Sequence, residues 1–414
     1  MSADRFKISF KGKDIRGRIE LDGSKSISNR ALIIQALTHE PQSIHHLSTS
    51  DDTQALQSIL QSESDVYDTG AAGTTFRFLT AYLAVSGKSC TLTGSERMKQ
   101  RPIGELVNAL RSLGANIQYL EKEGYPPLRF EPGDLTLTNE IHVASHISSQ
   151  FISALLLIAP ALPKGLRINL HGEMVSRSYI ELTLQIMKHY GIEYRWDDLT
   201  ITVPQQPYQS REFTVESDWS AASYYYSIAA LTEYTELELN GLAENSFQGD
   251  ARVARLYESF GIETDYLDNR IILRKSPSTP PSTFQHNFIL CPDIAQTMAV
   301  TCAALGTRGT FSGLQTLSIK ETDRIGALQT ELAKMGVEFK NTTGIDGEEY
   351  HIVQGKASFP GVISFPTYED HRMAMSFAPL AILHPIIIEE PGVVSKSYPQ
   401  FWTDLQKLGF KIEA

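Results

Sequence analysis

The chain has 414 residues, 42% of them hydrophobic and 21% charged, with a formal net charge of −11. That length suits two or more domains with full cores, and the composition argues against disorder. The acidic balance argues against general nucleic-acid or membrane-surface binding, so an anion site must be a local cluster of cations.

The opening stretch Met1–Phe10 lacks an apolar core of signal-peptide length. The most apolar run, Phe151–Leu162, is too short to span a bilayer and contains Pro160. Cys90, Cys291 and Cys302 lie far apart, without zinc-like or redox-pair spacing. Together these predict a cytoplasmic protein with reduced, buried thiols.

In chain order, Gly23-Ser-Lys-Ser-Ile-Ser-Asn-Arg30 leads into the apolar run Ala31–Leu37. Small hydroxyl residues at a helix start, beside Lys25 and Arg30, suit a phosphate. The paired glycines of a Walker loop are missing, and a plain serine cap is the alternative. Asp68–Arg77 is a second small-residue turn entering a helix, where Gly70 and Gly73 let backbone N–H groups approach a ligand. Arg97–Gly104 packs three cations before a helix, either as a surface loop or as a clamp for carboxylate or phosphate. Ser148-Ser-Gln150 and Ser176-Arg-Ser-Tyr179 are polar patches at helix heads, fit for capping or for donating to hydroxyls of a sugar-like ligand. Asp293, between Cys291-Pro and the apolar Met298–Leu305, reads as an N-cap or as a general base.

The segment Lys320-Glu-Thr-Asp-Arg324 is read as the head of a helix beginning near Ile319, since Ile325, Leu328, Leu332 and Met335 share one face before Gly336. There Lys320 and Arg324 project from one side of the first turn, and Glu321 can meet Arg324. An anionic substrate beside a proton-passing carboxylate fits this set, while a solvated turn with an internal ion pair is the plain alternative. Tyr368–Arg372 and Val394–Tyr398 add further cations before apolar runs, and His371 alone reads as structural. No metal-ligand spacing and no nucleophilic triad appears. Cations at helix heads recur along an acidic chain (Lys25, Arg30, Arg101, Lys320, Arg324, Arg372 and Lys396), which points to convergence on one or two highly anionic ligands.

The chain also repeats itself. Five amphipathic helices end at Gly114, Gly191, Gly261, Gly336 and Gly409, each followed by a short apolar stretch, at spacings of 77, 70, 75 and 73 residues. A degenerate copy without its glycine lies at Thr53–Tyr67. The glycines suit a left-handed turn between helix and strand. Near-even spacing predicts six related α/β units, three per lobe, with a boundary near Thr214–Asp218 and a loop at Ser276–Ser282.

Read together, these motifs resemble the family of 5-enolpyruvylshikimate-3-phosphate synthases (3-phosphoshikimate 1-carboxyvinyltransferases). The matching pieces run in family order over nearly the whole chain: Gly23–Arg30, Ala72-Gly-Thr74, Leu92-Thr-Gly, Arg97–Gly104, Ser148-Ser-Gln-Phe151, Val175-Ser176 with Tyr179, Val215-Glu216 with Asp218, Lys320–Arg324, Asp370–Met375 and Ser395-Lys396. The resemblance implies an α/β (α+β) fold of two lobes, each of three βαβαββ units, with the active site in the cleft between them. Residues 17–215 would form the N-terminal lobe, and residues 1–16 plus 216–414 the C-terminal lobe. The implied reaction moves the enolpyruvyl group of phosphoenolpyruvate to the 5-hydroxyl of shikimate 3-phosphate, in a monomer, without metal or organic cofactor.

By the same resemblance, phosphoenolpyruvate meets Lys25, Gly73, Arg101, Gln150, Arg324, Arg372 and Lys396. Shikimate 3-phosphate meets Lys25, Ser26, Arg30, Ser148, Ser149, Gln150, Ser176, Tyr179, Asp293, Thr316 and Lys320. Asp293 would take the hydroxyl proton, Glu321 would protonate the methylene carbon, and Lys25 would assist. Ala71 and Phe78 replace a family asparagine and proline, and Thr316 an asparagine that touches the shikimate phosphate. Gly73 leaves room beside phosphoenolpyruvate, so inhibition by glyphosate is expected. The sister transferase acting on UDP-N-acetylglucosamine usually carries a cysteine in the loop matching Arg97–Gly104; this chain has none there. A non-catalytic anion-binding protein on the same scaffold would be expected to lack Asp293 or Glu321, and both are present.

Overall fold

The computed structural model describes residues 4–144, 149–172, 174 and 177–414. The expectations placed on Ser148 and Ser176 lie outside the described residues. The chain forms two compact units, Gly23–Val215 and Met1–Asp22 with Glu216–Ala414. Each has its own core, one running from Ile27 to Val215 and the other joining Ile8–Leu21 to Trp219–Phe410.

Within residues 23–215 the helices are α1 Lys25–Leu37, α2 Asp51–Gln61, α3 Gly73–Ser86, α4 Glu96–Lys99, α5 Gly104–Leu113, α6 Ser149–Ile158 and α7 Arg177–His189. Strand Val66–Asp68 pairs in parallel with Cys90–Thr93 across α3. The latter pairs antiparallel with Leu128–Glu131, which pairs antiparallel with Asn116–Tyr119. The same pattern recurs in Glu140–Ala144, Leu166–His171, Arg195–Asp197 and Thr200–Val203, with α6 bridging the parallel pair. A parallel neighbour requires a crossover, and a helix supplies it, whereas the antiparallel strands need only a short turn.

The other unit holds α8 Trp219–Leu231, α9 Val253–Glu258, α10 Ala295–Leu305, α11 Arg324–Ala333, α12 His371–Phe377 and α13 Phe401–Lys407. Its three four-stranded sheets repeat the strand order seen above. Two of them borrow strands from the start of the chain. Arg5–Ser9 completes the sheet of Ile363–Phe365, Ile386–Glu389 and Lys411–Glu413, and Asp14–Glu20 lies parallel to Tyr234–Asn240. The segment Ser276–Ser282 is the loop between Arg270–Lys275 and Thr283–Asn287.

Among the described residues, five four-stranded βαβαββ units are therefore complete, and the sixth is not. Its sheet has two strands, Ile44–His45 and Phe213–Thr214 in parallel. After α2 the chain goes straight to Val66, which pairs with Thr91 and opens the next sheet. That is why the copy around Thr53–Tyr67 looks degenerate. The expected break after residue 16 also shifts: Gly17–Glu20 pair residue by residue with Leu237–Asn240, so the strand belongs with residues 216–414, and the division falls between Asp22 and Gly23.

The five stop glycines have φ between +73° and +108°, the region where a Cβ is penalised. Gly114 is the tightest, since an added Cβ would collide with the carbonyl oxygen of Asp134. Gly114→Ala should therefore destabilise the protein by about 1–3 kcal/mol. Chemical unfolding followed by fluorescence checks this, and an unchanged midpoint would contradict it.

Candidate active site

Polar groups gather at helix heads in each unit. In residues 23–215, α1 begins at Lys25, and Ser24 occupies the cap position without any side-chain cap bond. The Lys25 ammonium lies 3.3 Å from Asp52 in the first turn of α2. A Cβ on Gly73 would lie 2.8 Å from Cζ of Arg101, so that guanidinium covers the glycine at the head of α3. Among the described residues Arg101 has no hydrogen-bond or ion-pair partner for its guanidinium, which leaves a cation available to an anion. Gln150, in the first turn of α6, donates to the Thr74 hydroxyl at 3.1 Å and ties the heads of α6 and α3.

Arg30 behaves differently from the other cations. It is 2% exposed, and its guanidinium donates to Thr183 Oγ1 at 2.7 Å, the Ser26 carbonyl at 2.8 Å and Ser153 Oγ at 3.1 Å. It stacks near Phe78 and Tyr179, with centroids 5.2 and 5.9 Å from Cζ. Burial pulls its pKa down to about 10, so it stays cationic at neutral pH. These bonds tie Ser26 and Tyr179 to one buried charge. Phe78, at the family's proline position, supplies the aromatic face for that charge.

In the other unit the Lys320–Arg324 segment departs from expectation. The helix starts at Arg324, because Asp323 caps it by accepting from the Ile325 and Gly326 N–H groups. Lys320 and Glu321 stand before the helix, in the loop after the turn Leu317–Ile319. Asp293 is likewise no cap: it lies in the 3-10 turn Pro292–Ile294, and α10 begins without a side-chain cap bond.

Instead the charges interlock. Arg324 is 1% exposed and donates to Asp370 at 2.7 Å, Glu321 at 2.8 Å and Asp293 at 3.0 Å. Burial acts to lower its pKa, but Asp370, Glu321 and Asp293 outweigh it and raise the value, so the guanidinium is permanently charged. Three carboxylates on one cation would be unstable alone. Arg372 at 3.2 Å and Lys320 at 3.6 Å from Asp293 bring three cations to three carboxylates. Asp370 also caps α12 by accepting from the Arg372 N–H at 2.8 Å.

Lys396 donates to the Glu369 carbonyl at 2.8 Å. Tyr368 and Glu369 both have left-handed backbones, with φ of +55° and +56°, a conformation costly for residues with a Cβ and kept where the surroundings impose it. The Thr316 hydroxyl is buried and has no partner among the described residues.

Sequence reasoning missed four groups. Asp52 and Thr74 look like ordinary first-turn residues, Ser220 follows the α8 cap Asp218, and Asp250 sits in the turn Gly249–Arg252. Only Asp250 has an unusual environment: burial first, and then Asp293, push its pKa up to about 7.

Comparison with known proteins settles the relationship. The family model described as EPSP synthase (3-phosphoshikimate 1-carboxyvinyltransferase) matches residues 10–62 and 55–405. The chain belongs to the EPSP synthase family. It is 50% identical over 403 residues to a 3-phosphoshikimate 1-carboxyvinyltransferase of Bacteroides fragilis, covering 96% of this chain and 97% of that one. The enzyme of the same name from Vibrio campbellii is 36% identical over 426 residues, covering 95% and 97%. The EPSP synthase structure from Acinetobacter baumannii superposes with a TM-score of 0.78 over the full length of both chains at 20% identity, and so shares the fold. The two-lobed EPSP synthase architecture expected from the sequence is thus the one observed.

In this EPSP synthase family member, replacing Arg324 by Met would leave Asp370, Glu321 and Asp293 short of their common cation. The loss should be about 3–5 kcal/mol of stability. Thermal and urea unfolding of Arg324→Met test it, and a loss near zero would mean that the cluster is held by other groups.

Proposed function

We propose that the chain is a 3-phosphoshikimate 1-carboxyvinyltransferase, moving the enolpyruvyl group of phosphoenolpyruvate to the 5-hydroxyl of shikimate 3-phosphate and releasing phosphate. The observation that carries this reading is the full-length match to transferases of that name, joined to the cation clusters at the motif positions. Both substrates are polyanions, and bringing them together requires fixed positive charge in a water-poor site.

We further propose that both helix-head clusters serve this one pair of substrates. Lys25, Arg101, Gln150, Arg324, Arg372 and Lys396 take phosphoenolpyruvate, with the Gly73 backbone beside it. Ser26, Ser148, Ser149, Gln150, Ser176, Tyr179, Thr316, Asp293 and Lys320 take shikimate 3-phosphate, with Lys25 shared. Arg30 acts from behind by fixing Ser26 and Tyr179, a reading supported by its burial.

In this reading Asp293, ion-paired with Lys320, Arg324 and Arg372, accepts the proton of the 5-hydroxyl as that oxygen attacks C2 of phosphoenolpyruvate. Glu321 delivers a proton to the methylene carbon. The tetrahedral adduct then loses phosphate, which leaves with the proton held by Asp293, while the methyl group returns a proton to Glu321 and the double bond is restored. Asp293→Ala and Glu321→Ala should each lower kcat by a factor on the order of 10²–10⁴ while leaving the fold intact. Near-normal turnover in either variant removes that residue's role.

Phosphate release from phosphoenolpyruvate, with shikimate 3-phosphate or UDP-N-acetylglucosamine as acceptor, tests the reaction. Release with the first alone is expected; release with the second alone would overturn it. A cytoplasmic monomer completes the reading, and light scattering of the purified protein checks the second half of it.

Gly73 has its own test. An added methyl group must displace the Arg101 guanidinium or the ligand lying on it. Gly73→Ala should therefore raise the inhibition constant for glyphosate at least about tenfold, the scale of a lost charged hydrogen bond. An unchanged constant, or a wild-type enzyme indifferent to millimolar glyphosate, would place the inhibitor elsewhere.

A further inference from the structure

One buried carboxylate in the second unit has no part in the reaction above. Asp250 is 5% exposed, in the turn Gly249–Arg252 that packs against α8 and α9. It accepts a hydrogen bond from the Ser220 hydroxyl, in the first turn of α8. Ser220 is itself held in place, since its N–H donates to the cap carboxylate Asp218 at 2.8 Å. The same hydroxyl oxygen accepts from Nη2 of Arg372 at a long 3.4 Å. Arg372 completes the run by meeting Asp293 through Nη2 at 3.2 Å and the Asp293 carbonyl through Nη1 at 3.2 Å.

The donor arithmetic gives this arrangement a direction. A serine has one proton and two lone pairs. Committing the Ser220 proton to Asp250 turns its lone pairs outward as acceptors for the guanidinium. Arg372 is thereby held from two sides, by Asp293 and by Ser220, so less rotamer freedom is lost when an anion arrives. We propose that Asp250 is a positioning residue for the anion-binding side of the site, acting through the Ser220 hydroxyl on Arg372, and that its charge state tunes how strongly Arg372 attracts phosphoenolpyruvate. This rests on the reading of Arg372 as a phosphoenolpyruvate ligand.

Among the described residues, the charged and titratable groups that act on Asp250 or feel it are Asp218 from the head of α8, Cys291 and Asp293 from the chain entering α10, and Arg372 from α12; Arg252 of its own turn is exposed. On α9, Arg255 and Glu258 are exposed. Asp293 and Asp218 oppose a charge on Asp250 and Arg372 favours it, so ionising Asp250 adds a negative charge next to a cation that must hold an anion. Burial and Asp293 raise its pKa to about 7. Protonated Asp250 therefore favours the anion, and that advantage fades as pH rises through neutrality.

Two variants of the full chain separate these roles. Asp250→Asn keeps an oxygen for Ser220 to donate to and removes the charge. Its kcat/KM for phosphoenolpyruvate, divided by the wild-type value, cancels substrate ionisation because both enzymes see the same substrate. That ratio should rise about 3–10-fold from pH 6 to pH 8.5, up to the tenfold equivalent of one pKa unit. Ser220→Ala cuts the link, and should raise KM for phosphoenolpyruvate about 5–10-fold with kcat within about twofold, the scale of one charged hydrogen bond. A merely structural role would lower stability and leave the pH ratio flat. A flat ratio, or a Ser220→Ala enzyme with unchanged KM, overturns the inference while wild-type turnover stands. A wild-type protein that releases no phosphate overturns the assigned reaction and this inference with it.

Discussion

Arg324 is the fixed point on which the second unit's site depends. A guanidinium buried alone is prohibitively costly, and one surrounded by three carboxylates carries excess negative charge unless further cations join. Asp370, Glu321 and Asp293 neutralise Arg324, and Arg372 and Lys320 offset the excess negative charge at Asp293. The result is a lattice in which each charge is held by its neighbours. Such a lattice is rigid, because moving one member strands another. It also points charge where a polyanion can use it, since Lys320 and Glu321 remain partly exposed at its edge. The stability of the cluster and its ability to bind an anion have one origin.

The first unit reaches a similar end with fewer carboxylates. Arg30 is spent internally, pinning Ser26 and Tyr179, whereas Arg101 lies over Gly73 with no polar partner among the described residues. Two arginines of one chain thus play opposite parts, one as a buried tie and the other as a ready ligand. Burial and the polar partners that come with it separate them. The missing side chain at Gly73 matters for the same reason: it lets a planar cation approach the head of α3.

The repeating unit explains how so many polar groups come to helix heads. Each helix that follows a first strand returns the chain to a parallel neighbour, so its N-terminus always opens at the same end of its sheet. Repeating that unit multiplies helix heads, and each supplies free N–H groups and a favourable field for anions. The glycines that end the second helix of each unit keep the repeat in register, and their spacing made it legible without coordinates. The truncated sixth copy was visible only as a missing glycine. Its cause, a strand that opens the next sheet instead, is a matter of pairing.

The sequence by itself determined the family, the six-fold repeat and the residue types of the site, because these are carried by local order: motifs at helix heads, apolar periodicity and stop glycines. It also placed the Glu321–Arg324 pair, whose members are three residues apart. Long-range pairing was decided by the tertiary structure alone. The helix expected to begin near Ile319 was set about five residues too early, because the Asp323 side chain captures the first N–H groups, and hydrophobic periodicity does not register a cap. Asp293, which the sequence left as a cap or a base, is ion-paired because the chain brings Arg324 and Arg372 to it from 31 and 79 residues away. Asp250 and Ser220 carried no signal of their own, since an aspartate in a turn and a serine in a first turn are commonplace. Their significance comes from the burial of Asp250 against α8 and α9 and from the reach of Arg372 to the Ser220 hydroxyl, and such packing is encoded by no local pattern.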